Sequence, residues 1–226
     1  MRAAFFDVDG TLTDARVWEG LLTYFQVHGL RRWTHRVYWA YHMPYYFLMK
    51  ARLISQGTFR KPWAAHLAWY MRGYTSQETE VIWDWVVKEF LSHHWRLDVR
   101  RLLDEHRNAG DLVMLVSASP QPLLERIARE VGVSHVVATE FELRDGYYTG
   151  RSLEPVCIDE NKAALAKAYL KRRAIEVDFQ TSYTYADAIS DLHLLEMVGN
   201  PVVVYPDDEL KGEALERGWQ IFPADS

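Results

Sequence analysis

Asp7 and Asp9 stand one residue apart in AAFFDVDGTLTD, residues 3–14, directly after an apolar run. Two carboxylates this close repel each other if both are ionised and dry, so the placement calls for a cation, a proton or a division of labour. Other chemistry-bearing residues fall at comparable places along the chain. Ser117 follows LVMLV, residues 112–116, and Asp187 follows SYTYA, with Asp191 four residues further on. Lys162 falls in the first turn of a helix expected after Asp159. Converging carboxylates are tolerable around a hard divalent cation, and Mg²⁺ fits an all-oxygen site. A metal, a lysine and a serine hydroxyl together offer positive charge and hydrogen bonds to a phosphoryl group. One carboxylate in line with phosphorus can act as nucleophile, and its neighbour two residues on can serve as acid and base.

The elements that would position these groups can be read from periodicity. AAFF and LVMLV are continuous apolar runs, as expected of strands covered on both faces. HVVA, SYTYA, PVVVY and WQIF are further short strands. They alternate with helices over 97–108, from the two prolines to Glu130, 159–172, 191–198 and 208–217. Asp159 is expected to cap its helix. Asp145-Gly146 between β-prone flanks signals a hairpin. Alternation of this kind predicts an α/β fold, a Rossmann-like parallel sheet flanked by helices, with its site at the carboxyl ends of the strands.

Residues 15–95 differ in character, with helical spacing, many aromatic residues and no strand signals. Helices are expected from Val17, over 33–54 with an interruption at Pro44, over 62–72, and from Thr75, where Glu78 completes a capping box. The predicted division is a core of residues 1–14 and 96–226 and an all-helical cap of residues 15–95 inserted after the first strand.

Composition excludes several classes. The single cysteine, Cys157, rules out an internal disulfide framework and a cysteine zinc cluster, and the scattered histidines form no ligand spacing. A net charge of −5 disfavours a nucleic-acid surface. The N-terminal stretch lacks the features of a secretion signal, so a cytoplasmic protein is expected. The aromatic stretch at 33–49 is shorter than the roughly 20 residues a membrane span needs. Its first reading is packing within the cap. Contact with a membrane surface, or a pocket for an apolar leaving group, is the less favoured reading.

DVDGT at 7–11, Ser117, Lys162, and Asp187 with Asp191 resemble the four motifs of the haloacid dehalogenase superfamily. Order, spacing and the position of the helical insertion are most similar to the branch that includes phosphoserine phosphatase. The resemblance implies a Mg²⁺-dependent phosphomonoester hydrolase acting on a small phosphorylated metabolite through an aspartyl-phosphate. Asp7 would be nucleophile and metal ligand. Asp9 would be acid/base and bind metal through its carbonyl. Asp187 would complete the protein ligands. Ser117 and Lys162, with the backbone at Gly10 and Ala118, would hold phosphoryl oxygens, and Lys162 would also pair with Asp7. Asp191 would support Lys162 and the metal ligands from behind.

Alanine stands at 186, where that family usually has glycine, and at 188, where glycine or serine is common. The place of the family's amine-receiving glutamate is taken by Arg16, which becomes the specificity candidate and makes phosphoserine a doubtful substrate. Arg60 and Arg72 are weaker anion-binding candidates. The same motifs serve phosphotransferases and mutases, and a phosphatase of lipid phosphates at a membrane surface is a further alternative.

Overall fold

The computed structural model describes residues 1–223. Six strands form one parallel sheet: β1 (Ala3–Phe6), β2 (Leu112–Pro120), β3 (His135–Thr139), β6 (Tyr183–Ala186), β7 (Asn200–Val204) and β8 (Gln220–Phe222), in the order β3-β2-β1-β6-β7-β8. The chain builds outward from β1 to β3 on one side and from β6 to β8 on the other. A crevice therefore opens at the carboxyl end of the central strand.

Alternation along β1 sends Ala4 and Phe6 into one apolar cluster and Ala3 and Phe5 into another. Helices α5 (Leu97–Asn108) and α6 (Gln121–Glu130) cover the first face, and α7 (Glu160–Arg172) and α8 (Leu192–Leu195) the second. Helix α9 (Asp208–Arg217) packs beside β7, its N-terminus capped by Asp207, which accepts from Leu210 N at 2.8 Å. The hairpin β4 (Phe141–Arg144) and β5 (Tyr147–Ser152) turns at Asp145 and Gly146, both with positive φ.

Between β1 and α5 lie α1 (Val17–Val27), α2 (Arg32–Lys50), α3 (Gln56–Ala65) and α4 (Ser76–Trp85), with tighter or wider turns over 66–71 and 86–93. The capping box at Thr75 and Glu78 forms as expected. Pro44 does not interrupt α2: it sits on the exposed side, where water can serve the carbonyl it leaves without a donor. Helix α3 starts earlier than periodicity indicated, because Ser55 caps it by accepting from Thr58 N at 3.2 Å, and Pro62 lies inside it.

The aromatic stretch of α2 is divided. Tyr38 and His42 are fully buried, while Trp33, Val37 and Phe47 are more than half exposed. The β4–β5 hairpin fastens this helical segment, with Gly73 N and Tyr148 N each donating across the junction at 2.8 Å. No helix among the described residues is long and apolar enough to cross a membrane.

His42 lies among Tyr38, Trp63 and Trp69, with its Nε2 3.2 Å from Nδ1 of His66. Burial, with His66 adding to it, pushes the His42 imidazole down to about 4. The unfolded chain, with an ordinary histidine near 6.5, takes up this proton first as pH falls. Stability is therefore lost between about pH 6.5 and 4, by about 2–3 kcal/mol from this group. Denaturant unfolding at pH 7 and 4.5 should register that loss, and His42→Phe should flatten it. An unchanged pH slope in a folded His42→Phe protein would contradict the assignment.

Candidate active site

Register brings the separated motifs together. Phe6 pairs with Leu115 and with Tyr185, so Asp7, Ser117 and Asp187 all emerge just past the paired ends of three adjacent strands. Asp7 N donates to Tyr185 O at 2.9 Å, anchoring the start of the loop. The Lys162 ammonium, buried in the first turn of α7, lies 2.6 Å from Asp7 Oδ1 and 2.5 Å from Asp191 Oδ1. Burial works against its charge, but Asp191 and Asp7 outweigh that and hold its pKa above the ordinary lysine value.

Carboxylate oxygens of Asp7, Asp187 and Asp191, all buried, lie within 4.8 Å of one another. Burial first, and Asp7 second, push Asp187 up to about 8. Asp191 is pushed up to about 6 by burial, with Lys162 opposing the rise. This donor set is frustrated as it stands and suits a hard cation. Asp7, Asp187 and Asp191 are the carboxylates here that could hold Mg²⁺.

Asp9 directs its carboxylate away from that cluster. It accepts from Val17 N at 2.5 Å, Ser117 Oγ at 3.0 Å and Ser119 Oγ at 3.2 Å. Burial and the Asp7 charge nevertheless raise its pKa, favouring a protonated carboxyl. Ser117 thus faces Asp9 in this structure. Ser119 was missed in the sequence reading, although a signal was available: β2 runs on to Pro120, and residues two apart on a strand share a face. Thr11 is a second omission, its Oγ1 donating to Asp187 Oδ1 at 3.3 Å.

Gly10 has φ +94°, and a Cβ there would lie 2.1 Å from Asp187 Oδ2. Only glycine lets the loop pass this close to the carboxylate. Gly10→Ala should cost about 2–4 kcal/mol of stability and about 100-fold or more in activity. Thermal unfolding and phosphate release measure both, and wild-type values would contradict the packed cradle described here.

The Arg16 guanidinium donates to the Asp9 carbonyl at 2.6 Å and lies 3.4 Å from Asp187 Oδ2. It lines the cavity above the site but is engaged with the cradle rather than directed at open space. Asp159 does not cap α7. It has φ 49° with no side-chain capping bond, and it faces Arg60 at 3.9 Å instead. Arg72 lies at the β5 hairpin, beside Gly150, and does not line this cavity. Ala186 is fully buried, and Ala188 is in an extended conformation open to any residue, so neither position demands glycine. Ala118 lines the cavity, while its carbonyl accepts from Thr139. Cys157 is buried, and its thiol is pushed up to about 12 by burial, consistent with a packing role.

A family model described as haloacid dehalogenase-like hydrolase matches residues 4–196. The chain is 30% identical over 159 residues to a histidinol-phosphatase of Neisseria meningitidis, covering 70% of this chain and 71% of that protein. It is 29% identical over 225 residues to a Mycobacterium tuberculosis protein named phosphoserine phosphatase SerB1, covering 97% of this chain and 70% of that protein. A solved structure from Bordetella pertussis Tohama I, of unknown function, superposes with a TM-score of 0.83 at 26% identity, covering 98% of each chain.

Proposed function

Because the chain belongs to the haloacid dehalogenase-like hydrolase family and its relatives include named phosphatases, we propose that it is a Mg²⁺-dependent phosphomonoester hydrolase working through an aspartyl-phosphate on Asp7. The observation that carries this reading is the convergence of Asp7, Asp187, Asp191 and Lys162 on one buried edge of the sheet. We assign residues 1–14 and 96–223 to the catalytic core and 15–95 to a cap over it; the last residues of the expected core, 224–226, lie outside the described residues. The shared cavity lined by Asp7 and Lys162 below and Trp39 and Trp63 above supports that division.

In the first step an Asp7 carboxylate oxygen attacks phosphorus and the bond to the alcohol oxygen breaks. The Asp9 carboxyl, whose pKa burial raises, serves as the acid and gives its proton to the departing oxygen. In the second step the Asp9 carboxylate takes a proton from water as that water attacks the phosphoryl group. Inorganic phosphate leaves and Asp7 is restored. Lys162 neutralises Asp7 and is within reach of a phosphoryl oxygen there. Ser117 and the backbone at Gly10 and Ala118 are assigned the remaining phosphoryl contacts. When bound, Mg²⁺ supplies positive charge that offsets the carboxylates and the developing phosphoryl charge.

Arg16 is assigned to substrate recognition. Arg16 Nη1 contacts both the Asp9 carbonyl and Asp187 Oδ2, so a cation loaded there repels the guanidinium and displaces it toward an anionic group of the substrate. A phosphate-release panel of phosphorylated metabolites tests the proposal. Activity should require added Mg²⁺, and phosphoserine should not rank first, since Arg16 stands where an amine would need a carboxylate. Arg16→Ala should raise KM for the preferred substrate more than for p-nitrophenyl phosphate. An equal effect on both would confine Arg16 to the cradle.

A further inference from the structure

The cavity over Asp7 holds about 600 Å³, far more than a phosphoryl group occupies. Its walls are of two kinds. The catalytic carboxylates and Lys162 form the floor. The helical segment contributes rings and a thioether from Trp18, Trp39, Met43, Tyr46, Phe59 and Trp63. These rings are ordered edge to face, with Trp18 and Trp63 at 5.2 Å and Trp39 and Trp63 at 5.5 Å between centroids.

The charged groups near this wall are already engaged. Arg60 faces Asp159 and Gln56, while Arg16 belongs to the floor, beside the Asp9 carbonyl and Asp187. Asp207 accepts from Leu210 N and Ile189 N. No carboxylate of the helical segment lines the cavity to receive an amine.

Resting on the phosphatase reading above, we infer that the preferred substrate is a phosphomonoester whose alcohol carries an aromatic ring, seated against the Trp18–Trp39–Trp63 wall, with the anionic group assigned to Arg16 at the floor. A ring bound there gains the same edge-to-face contacts the wall residues make with each other, together with burial of its apolar area. A polar amino-acid or polyol body would lose water in that space and find too few partners.

The test is a series with chemically similar leaving oxygens: ethyl, 2-phenylethyl and 2-naphthylethyl phosphate, with phosphoserine, glycerol phosphate and dodecyl phosphate alongside, all with Mg²⁺. The kcat/KM should rise roughly tenfold or more from ethyl to 2-phenylethyl and again to 2-naphthylethyl. Phosphoserine and glycerol phosphate should do no better than ethyl phosphate. Phe59→Ser should compress the naphthylethyl-to-ethyl ratio at least fivefold. Binding of 2-naphthylethanol to the unmodified protein, followed by tryptophan fluorescence and calorimetry, tests the wall without catalysis. Turnover with a flat series, a preference for phosphoserine or glycerol phosphate, or a tenfold preference for dodecyl phosphate would overturn this inference and leave the phosphatase reading standing. Saturable binding of 2-naphthylethanol with no turnover of any ester would support the wall and overturn the phosphatase reading. Neither binding nor turnover would overturn both.

Discussion

Asp7→Asn is expected to lower phosphate release by about 10,000-fold or more while the protein stays folded. An amide is a poor nucleophile, and the neighbouring carboxylates are committed elsewhere, Asp187 to Arg16 and Thr11. Asp9 is tied to Val17, Ser117 and Ser119, while Asp191 is spent on Lys162. The fold should tolerate the change because Asp7 is a source of repulsion as well as attraction. Its charge is among the causes that raise the pKa values of Asp9, Asp187 and Asp191. Loss of the bond to Lys162 is offset by relief of that repulsion, so thermal unfolding should move by only a few degrees. Substantial phosphate release from folded Asp7→Asn protein would remove the nucleophile from the account.

Metal removal should also be severe. With chelator, activity should fall by about 100-fold or more, and Mg²⁺ should restore it. Calcium should restore it poorly, because its larger and looser coordination misplaces the nucleophile. A readout independent of catalysis follows from the buried cluster of Asp7, Asp187 and Asp191. Mg²⁺ at about 100 times its dissociation constant should stabilise the folded chain by about 2.7 kcal/mol. Asp187→Asn should abolish most of that increment. Full activity in metal-free protein, or a thermal shift unaffected by Asp187→Asn, would count against this cradle.

Much of the site was legible because apolar strand runs give way to polar residues where chemistry begins. AAFF, LVMLV and SYTYA each run into a polar residue, and parallel register turns those three exits into one site. What sequence could not give was direction. Nothing local says that the Asp9 carboxylate turns toward Ser117 and Ser119, or that Arg16 folds back onto the Asp9 carbonyl. Those outcomes depend on contacts between residues far apart in the chain. The helical boundaries failed for a related reason. Pro44 breaks helices on average, yet α2 continues through it because Tyr38 and His42 are buried against the rest of the segment and the proline faces water. Asp159 has the composition of a cap, but its backbone takes φ 49° and its side chain turns to Arg60. The docking of the β4–β5 hairpin onto the helical segment left no local signal, since it rests on backbone bonds at Gly73 and Tyr148 and on Ser152 Oγ donating to the Ala65 carbonyl.

The central claim is that Asp7 carries the phosphoryl group between the two steps. The direct measurement is peptide mapping by mass spectrometry of acid-quenched Asp9→Asn protein after exposure to substrate and Mg²⁺. Loss of the Asp9 carboxylate should slow hydrolysis of the intermediate, so the peptide containing Asp7 should gain one hydroxylamine-labile phosphoryl group. The same treatment of Asp7→Asn protein should leave that peptide unmodified. A phosphoryl group on any other residue, or its persistence on this peptide when Asp7 is asparagine, would contradict the account.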